Sequence, residues 1–332
     1  MKKKKRINRK KAVCAGLLLA LFAGGCSSKD VIHVPQITAR QVLKVDGESY
    51  SLAESKVYLV NYQNLYGTVA GVEIWQQESQ KEPLEEYIKN LAVAQMTKIL
   101  SMDSLAESLK ISLEENELAN VKKAAKIYYE SLTEEEIDYT GADESDIKRL
   151  YQDYALAQKL YKSLTADINS EVSDDEARIM EAMQIVVKDK KTAKTVKKAL
   201  KDGGDFATIA GTYNEADEVK IQFGRGMLPK KVEEEAFAMD NGAVSNAIKT
   251  KDSYYFIYCV NKFNEELTDA NKIKIVRQRE KEAFGDVYDA YVKKISQKLY
   301  QKVWDGVTLD EAAGLATDSF FAVYQEYCGE LV

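Results

Sequence analysis

Apolar residues recur at helical spacing along two long stretches of this chain, and the spacing fails in the segment between them. In the first stretch Ile147, Leu150, Tyr151, Tyr154, Ala157, Tyr161 and Leu164 fall on one stripe, the pattern of a helix with a single buried face. Similar runs over 84–100 and 113–132 precede it. Another runs from Ile273 through Val276, Phe284, Val287, Tyr291, Ile295 and Leu299 to Val303. Only three prolines occur in 332 residues, so little interrupts these helices. The spacing predicts helices over 84–100, 113–132 and 143–168, and one continuous helix over 272–304. Ahead of them, Gln41–Val45 reads as a strand entering an Asp46-Gly47 turn, and helical spacing starts again by Val57. Thr133 followed by Glu134-Glu135-Glu136 reads as a capped helix start, its acids forming a solvated face.

The middle segment follows a different rule. Ser173-Asp174-Asp175-Glu176 is a capping box opening a short helix, and Ala182–Val187 is an apolar run of strand length. Lys191–Leu200 and Asp205–Tyr213 are short amphipathic helices separated by Gly203-Gly204. A polar loop, Asn214–Lys220, leads to Phe223-Gly224-Arg225-Gly226, and a third helix covers Val232–Met239. Strands at Val244–Thr250 and Tyr254–Val260, joined by Lys251-Asp252, close the unit. The fold class is therefore α+β: a helical domain built from N- and C-terminal segments, with an inserted α+β domain. The expected boundaries are 1–25 leader, 26–39 tether, 40–172 N-terminal helical segment, 173–264 inserted domain and 265–332 C-terminal helical segment.

The leader is basic and then apolar. Lys2–Lys5, Arg6, Arg9, Lys10 and Lys11 precede an uncharged run centred on Leu17–Phe22, shorter than the roughly 20 residues of a membrane-crossing helix. This is the form of a signal peptide. Ala23-Gly24-Gly25-Cys26-Ser27 resembles a lipobox, in which Cys26 becomes the lipidated first residue of the mature chain. Two acyl chains suffice for stable anchoring, which places the protein on the extracytoplasmic face of the membrane. Without its leader the chain keeps 39 of 47 basic residues against all 53 acidic ones. That balance is unsuited to nucleic acid, which is bound through Lys and Arg. The sole histidine, His33, lies in the tether, so no metal site and no cofactor are expected. Cys259 and Cys328 fall in different segments and give no disulfide framework.

The middle segment resembles the parvulin-type peptidyl-prolyl isomerases, and the whole chain is similar to the PrsA foldase lipoprotein family. The run from Gln184 (QIVVKDKKTAKTVKKALKDGGDFATIAGTYNEA) follows the family's strand, helix, Gly-rich break and "DFA..A..Y" helix. The run from Val232 (VEEEAFAMDNGAVSNAIKTKDSYYFIYCV) follows its closing helix and strands. Rotation about an X–Pro bond faces a barrier of about 18–20 kcal/mol from amide resonance. The resemblance implies that this is lowered in an apolar cup beside two histidines and a Cys or Asp. At the matching positions this chain has Gln184, Ala216 and Tyr255, and residues 34–332 contain no histidine. Phe223, Leu228, Val232 and Phe237 stand where the family has proline-contacting or adjacent core residues. The family's loop between them is shortened here to Lys220–Gly224. Gln184 and Tyr255 are placed to hydrogen-bond across neighbouring strands.

Two functions follow from the resemblance. One is a chaperone or foldase for unfolded or partly folded exported proteins, its helical cradle lined with tyrosine. Twenty tyrosines against nine phenylalanines suit such a surface, since tyrosine joins an apolar body to a polar tip. The other is a parvulin isomerase working with a non-standard pocket. A lipid-anchored solute-binding protein would need two sizeable α/β lobes, which the pattern does not supply. Homodimerisation is compatible with the sequence, which does not specify it.

Overall fold

The computed structural model describes residues 32–33, 41–69, 84–309 and 314–329. Along the chain, β1 (Ile32–His33), β2 (Gln41–Val45) and β3 (Glu48–Ser51) precede α1 (Leu52–Val69), α2 (Leu84–Ser108), α3 (Glu115–Ser131), α4 (Glu134–Thr140) and α5 (Glu144–Thr165). Next come α6 (Asp174–Ala177), β4 (Met180–Val187), α7 (Lys190–Lys201), α8 (Phe206–Tyr213), β5 (Lys220–Phe223), α9 (Lys230–Phe237), β6 (Ile248–Lys249) and β7 (Tyr254–Asn261). The chain ends through α10 (Glu265–Val292), β8 (Gln297–Leu299), α11 (Gln301–Asp305) and α12 (Phe320–Cys328). It divides into two units. One runs to Ala166 and resumes at Phe284; the other spans Asp167–Ala283.

In the first unit the expected hairpin forms. Asp46 and Gly47 both take positive φ, 47° and 107°, the turn whose twist suits a two-residue hairpin. The C-terminal part enters this sheet directly, which gives the strand order β1-β8-β2-β3. Leu43 pairs with Leu299, and the Tyr300 amide donates to the Val42 carbonyl at 2.8 Å. The continuous helix expected over 272–304 therefore stops at Val292. Leu299 has to be buried against β2, and three residues of strand with alternating exposure achieve this where a continuing helix turn would not. Residues 32–33, expected within a tether, pair with β8. Thr308-Leu309-Asp310-Glu311 has the sequence of a helix cap and falls partly outside the described residues.

The Thr133 cap forms as read, whereas at Ser173 the box is half made: the Ser173 hydroxyl accepts from the Glu176 amide, but the Glu176 carboxylate pairs with Arg279. The Thr133 side chain accepts from the Glu136 amide, and Glu136 returns a bond to the Thr133 amide. Glu136 is not part of a solvated face, however: it is buried, and its second oxygen accepts from the Ala316 amide at 3.1 Å. The tyrosines also correct the expected lining. Tyr50, Tyr58, Tyr62, Tyr128, Tyr151, Tyr154, Tyr288 and Tyr324 are buried in the core of this unit. Phe320 sits among Tyr58, Tyr128 and Tyr151 with ring centroids 4.5–5.5 Å apart. Rings of this size contribute most by packing on one another, so the tyrosine content builds the core.

A polar knot joins α2 and α5 beside this core. Arg149 contacts Glu48 and Glu54 at 3.2 Å each, and its Nε lies 3.9 Å from an Asp153 oxygen. Both oxygens of Asp103 are shielded from water and lack a hydrogen-bond partner among the described residues. Burial raises the Asp103 carboxyl well above its usual range, and the neighbouring Asp153 charge adds to this. Asp153 is pushed up to about 7 by burial, with Arg149 pulling the other way. The folded chain thus keeps protons that the unfolded chain releases near pH 4. The stability these carboxyls contribute is complete below that pH and is lost as pH rises through about 7.

In the second unit the sheet order is β5-β4-β7-β6, antiparallel throughout. Side chains of β4 alternate between two cores. Ile185 and Val187 face α7 and α8, packing with Val196, Phe206 and Ile209. Met180 and Ala182 face α9, packing with Phe223, Val232 and Ala236. The glycine break is used twice: Gly203 takes φ 84°, and a Cβ on Gly204 would lie 2.9 Å from the Ala199 carbonyl oxygen. Two strand expectations change. Lys220–Phe223, read as the end of a loop, is an edge strand. The strand expected over 244–250 shrinks to Ile248–Lys249, with Val244 making an isolated bridge to Tyr258. Cys259 and Cys328 are both free and buried, and burial raises both thiols, Cys328 to about 11.

The urea unfolding midpoint of the helical unit should be higher at pH 5 than at pH 8, by about 1–2 kcal/mol of stability. Asp103→Asn should flatten that difference. Equal midpoints at the two pH values would contradict a buried, protonated Asp103–Asp153 pair.

Candidate functional site

β4 and β7 bring Gln184 and Tyr255 to one face of the second sheet. Gln184 pairs with Ile257, and Val186 with Tyr255. Gln184 and Tyr255 are therefore diagonal neighbours on adjacent strands, with side chains on the same side. That side is the one α9 covers. Tyr255 is half-buried there, against the core that holds Ile248 and Ile257.

The polar group of Gln184 is turned to the neighbouring loop. Its Nε2 donates to the Glu218 carbonyl at 3.0 Å, and its amide donates to the Val219 carbonyl at 2.8 Å. The expected hydrogen bond across to Tyr255 is not the one formed. Asn214 completes the loop's attachment: its Oδ1 accepts from the Val186 amide at 2.9 Å, and its Nδ2 donates to the Ala216 carbonyl at 2.9 Å. Glu215 adds a backbone bond from its amide to the Val186 carbonyl at 2.8 Å. Residues 214–219 are thus stitched along β4 as an irregular extension of β5. Ala216 lies within this loop, half-buried, with no polar side chain to offer. Gln184 and Asn214 together hold backbone that would otherwise leave donors and acceptors unpaired on a central strand.

The apolar positions divide by depth. Phe223 and Val232 are buried core and form a floor. Leu228, Phe237 and Tyr255 are half-buried above it, and Met239 joins them at the rim. The floor is held by Glu233, a buried carboxylate that accepts from the Leu228 amide at 2.8 Å. Phe237 packs on Phe223 with centroids 5.4 Å apart, and its ring lies 5.1 Å from the guanidinium groups of both Arg178 and Arg225. Arg178 is fixed by donating to the Lys262 carbonyl at 2.6 Å and the Phe237 carbonyl at 3.1 Å. Arg225 is fixed by Asp175 at 2.5 Å. Two arginines over one ring make cation–π contacts and give Phe237 a charged surround, so it is not an open apolar wall.

A shallow cavity of about 370 Å³ opens beside Phe237, lined by Asp175, Arg178, Met239, Lys262 and Phe263 among others. Its lining does not include Gln184, Ala216 or Tyr255. The chemistry this face offers is therefore apolar seating with hydrogen-bonding backbone at its edge. Among the described residues no group of His, Cys, Asp and Glu could hold a metal ion. Asn214, Glu233, Arg178 and Arg225 escaped the sequence reading. The available signal was polar residues set directly beside buried apolar ones, and its meaning depended on which backbone groups were left unpaired.

Replacing Gln184 by Ala should loosen the loop over 214–219 and lower stability by about 1 kcal/mol, the net worth of one hydrogen bond, with Asn214 Nδ2 still donating to the Glu218 carbonyl at 3.3 Å. Denaturant unfolding and amide exchange of Val219 report this. An unchanged midpoint with unchanged exchange would show that the bond is dispensable.

Comparisons with known proteins agree with the sequence motifs. Residues 142–274 match the PPIC-type PPIase domain. Foldase protein PrsA 3 of Bacillus anthracis is 30% identical over 165 residues, covering 48% of this chain and 52% of that protein. The corresponding Bacillus cereus protein is 29% identical over 163 residues and is matched over 57% of its length. The chain thus spans little more than half the length of these Bacillus relatives. Foldase protein PrsA of Clostridium botulinum is 25% identical over 330 residues, covering 87% of this chain and 96% of that protein. Among solved structures, PrsA of Lactococcus lactis covers 86% of this chain and 99% of its own at 15% identity, with a TM-score of 0.32. The chain is similar to the PrsA foldases, and its middle matches a PPIC-type PPIase domain.

Proposed function

We propose that this protein is a membrane-anchored extracytoplasmic foldase that assists the folding of exported proteins by binding rather than by catalysed proline rotation. The observation that carries the reading is the commitment of Gln184 to the Glu218 carbonyl. An isomerase of this family uses a hydrogen-bonded polar group there. Here that group fastens a loop, Ala216 supplies no side-chain donor, and Tyr255 stands where the second histidine would be. What remains is the apolar part of the site: Phe223 and Val232 as floor, with Leu228, Phe237 and Tyr255 above.

Such a face can take an apolar or proline-containing segment reversibly without lowering the barrier to rotation about its peptide bond. Lipid on Cys26 gives this weak binding its reach. Tethering turns each encounter at the membrane surface into a nearly intramolecular one, raising effective concentration without any new contact. The partners in this reading are unfolded or partly folded exported chains, together with the membrane that holds the anchor. The second reading, an active isomerase with a non-standard pocket, is favoured by the half-buried Tyr255 on the same face as Gln184.

One preparation of residues 27–332 decides between the two readings. At stoichiometric ratio it should reduce the aggregation of an unfolded client, read by light scattering, and micromolar protein should leave a proline-limited refolding phase unaccelerated. Unreduced aggregation would count against the foldase reading. Acceleration that Tyr255→Phe abolishes would establish the isomerase instead.

For the anchor, labelled palmitate should enter the full-length chain in a Gram-positive host. Cys26→Ala should lose the label and release the protein into the medium. Retention of label by that variant would refute the assignment of Cys26.

A further inference from the structure

Seven lysines crowd the segment that opens and forms α7: Lys188, Lys190, Lys191, Lys194, Lys197, Lys198 and Lys201. Asp189 is the one acid between the first and last of them, and its carboxylate is engaged by the Thr192 amide and hydroxyl at 2.7 and 3.1 Å. All seven lysines are exposed. Among the described residues none of them makes an ion pair within 4 Å. Other lysines of this acidic chain do: Lys159 meets Glu117 at 2.7 Å, Lys262 meets Asp240 at 2.8 Å, and Lys272 meets Asp174 at 2.6 Å.

The helix fixes where these charges point. Ala193 and Val196 are buried and Leu200 packs beside them, against the core of Ile185, Val187 and Phe256. At 3.6 residues per turn, Lys190, Lys194, Lys197 and Lys201 form one line, and Lys191 and Lys198 flank it within an arc of about 120°. That arc lies opposite the packed side, so the lysine stripe is held outward by the core itself.

Helix stability accounts only for the end of the stripe, where Lys198 and Lys201 stand in the last turn and meet the negative pole of the helix dipole. Lys190 and Lys191 stand in the first turn, where the helix dipole favours acids. Lys190/Lys194, Lys194/Lys198 and Lys197/Lys201 are like-charged pairs four residues apart, which oppose helix formation. An arrangement that works largely against its own helix, in a chain whose basic residues are otherwise outnumbered, fits an external anionic partner. The residue type narrows that partner. Lysine is a mobile point charge and makes no bidentate fork, which suits a laterally diffuse field of phosphates better than a single phosphorylated group. Juxtaposed lysines of this density are the pattern attracted by acidic lipid headgroups.

We infer that the lysine face of α7 is a docking surface for the anionic phospholipid headgroups of a membrane. The lipid anchor proposed above gives this surface its setting, but the chemistry of the stripe does not depend on it, and neither does the test.

Residues 27–332, carrying no lipid, are floated with vesicles of phosphatidylcholine alone or with about 30 mol% phosphatidylglycerol. Binding to the anionic vesicles should exceed binding to neutral ones by about ten-fold or more and should vanish at about half-molar salt. Changing Lys190, Lys194, Lys197 and Lys201 together to Gln should abolish it, with the circular dichroism spectrum retained. Lys122→Gln, Lys123→Gln and Lys126→Gln, combined on exposed α3, should not. If the Gln variant loses its fold, reversible citraconylation of the native chain supplies a second measurement, with binding lost on modification and regained on its removal. Equal binding to both vesicle types, or unchanged binding by the folded Gln variant, would overturn the inference. Preference for soluble poly-glutamate over anionic vesicles would also overturn it, in favour of an acidic protein partner. Suppression of client aggregation by the Gln variant should match wild type, which separates failure of this surface from failure of the foldase reading.

Discussion

Asn61 has no contact with solvent, and the first unit is organised around how its amide is satisfied. Its Oδ1 accepts from the Phe320 amide at 3.1 Å, and its Nδ2 donates to the Tyr128 hydroxyl at 2.7 Å and the Val57 carbonyl at 2.9 Å. Tyr128 also shares a hydrogen bond with Thr317 at 3.0 Å, and the Tyr151 hydroxyl donates to the Phe320 carbonyl at 2.6 Å. A buried amide left unpaired costs more than the bond itself is worth. Helices from the N-terminal half therefore depend on a segment more than 250 residues later in the chain. The same segment brings Phe320 into the tyrosine cluster, so polar satisfaction and apolar burial specify one arrangement. The sheet repeats the dependence, since β8 lies between β1 and β2.

The second unit answers to a different constraint. β4 is central, and its backbone groups need partners on both sides along its length. On one side β7 provides them in regular register. On the other β5 is short, and the side chains of Gln184 and Asn214 continue its work through the loop. In this way the Gln184 side chain serves the architecture of the sheet. The residue type suits that role: a side-chain amide offers donor and acceptor without titrating near neutral pH, as a permanent bond requires.

Charge is also unevenly distributed. The acids of the chain mostly cap helices, pair with lysines or face solvent, while Asp103 and Asp153 stand shielded beside the aromatic core with Arg149 close to only one of them. Burial raises both carboxyls, and at Asp103 the neighbouring Asp153 charge works in the same direction. The lysines of α7 are the converse case, basic groups kept together and left without partners.

Sequence alone determined the local structure wherever it depended on near neighbours. Caps at Thr133 and Ser173, the Asp46-Gly47 turn, the Gly203-Gly204 break and the apolar stripe of α5 were all legible, because each acts within a few residues. Tertiary structure decided what depended on distant partners. The end of α10 at Val292 follows from the pairing of Leu299 with Leu43. The burial of Glu136 follows from the Ala316 amide. Tyr58, Tyr62, Tyr128, Tyr151 and Tyr154 became core because Phe320, Phe321 and Tyr324 arrive from the far end of the chain to pack on them. The role of Gln184 was decided the same way, since its buried side-chain amide finds its partner in the Glu218 carbonyl, on a loop that only the fold brings beside β4.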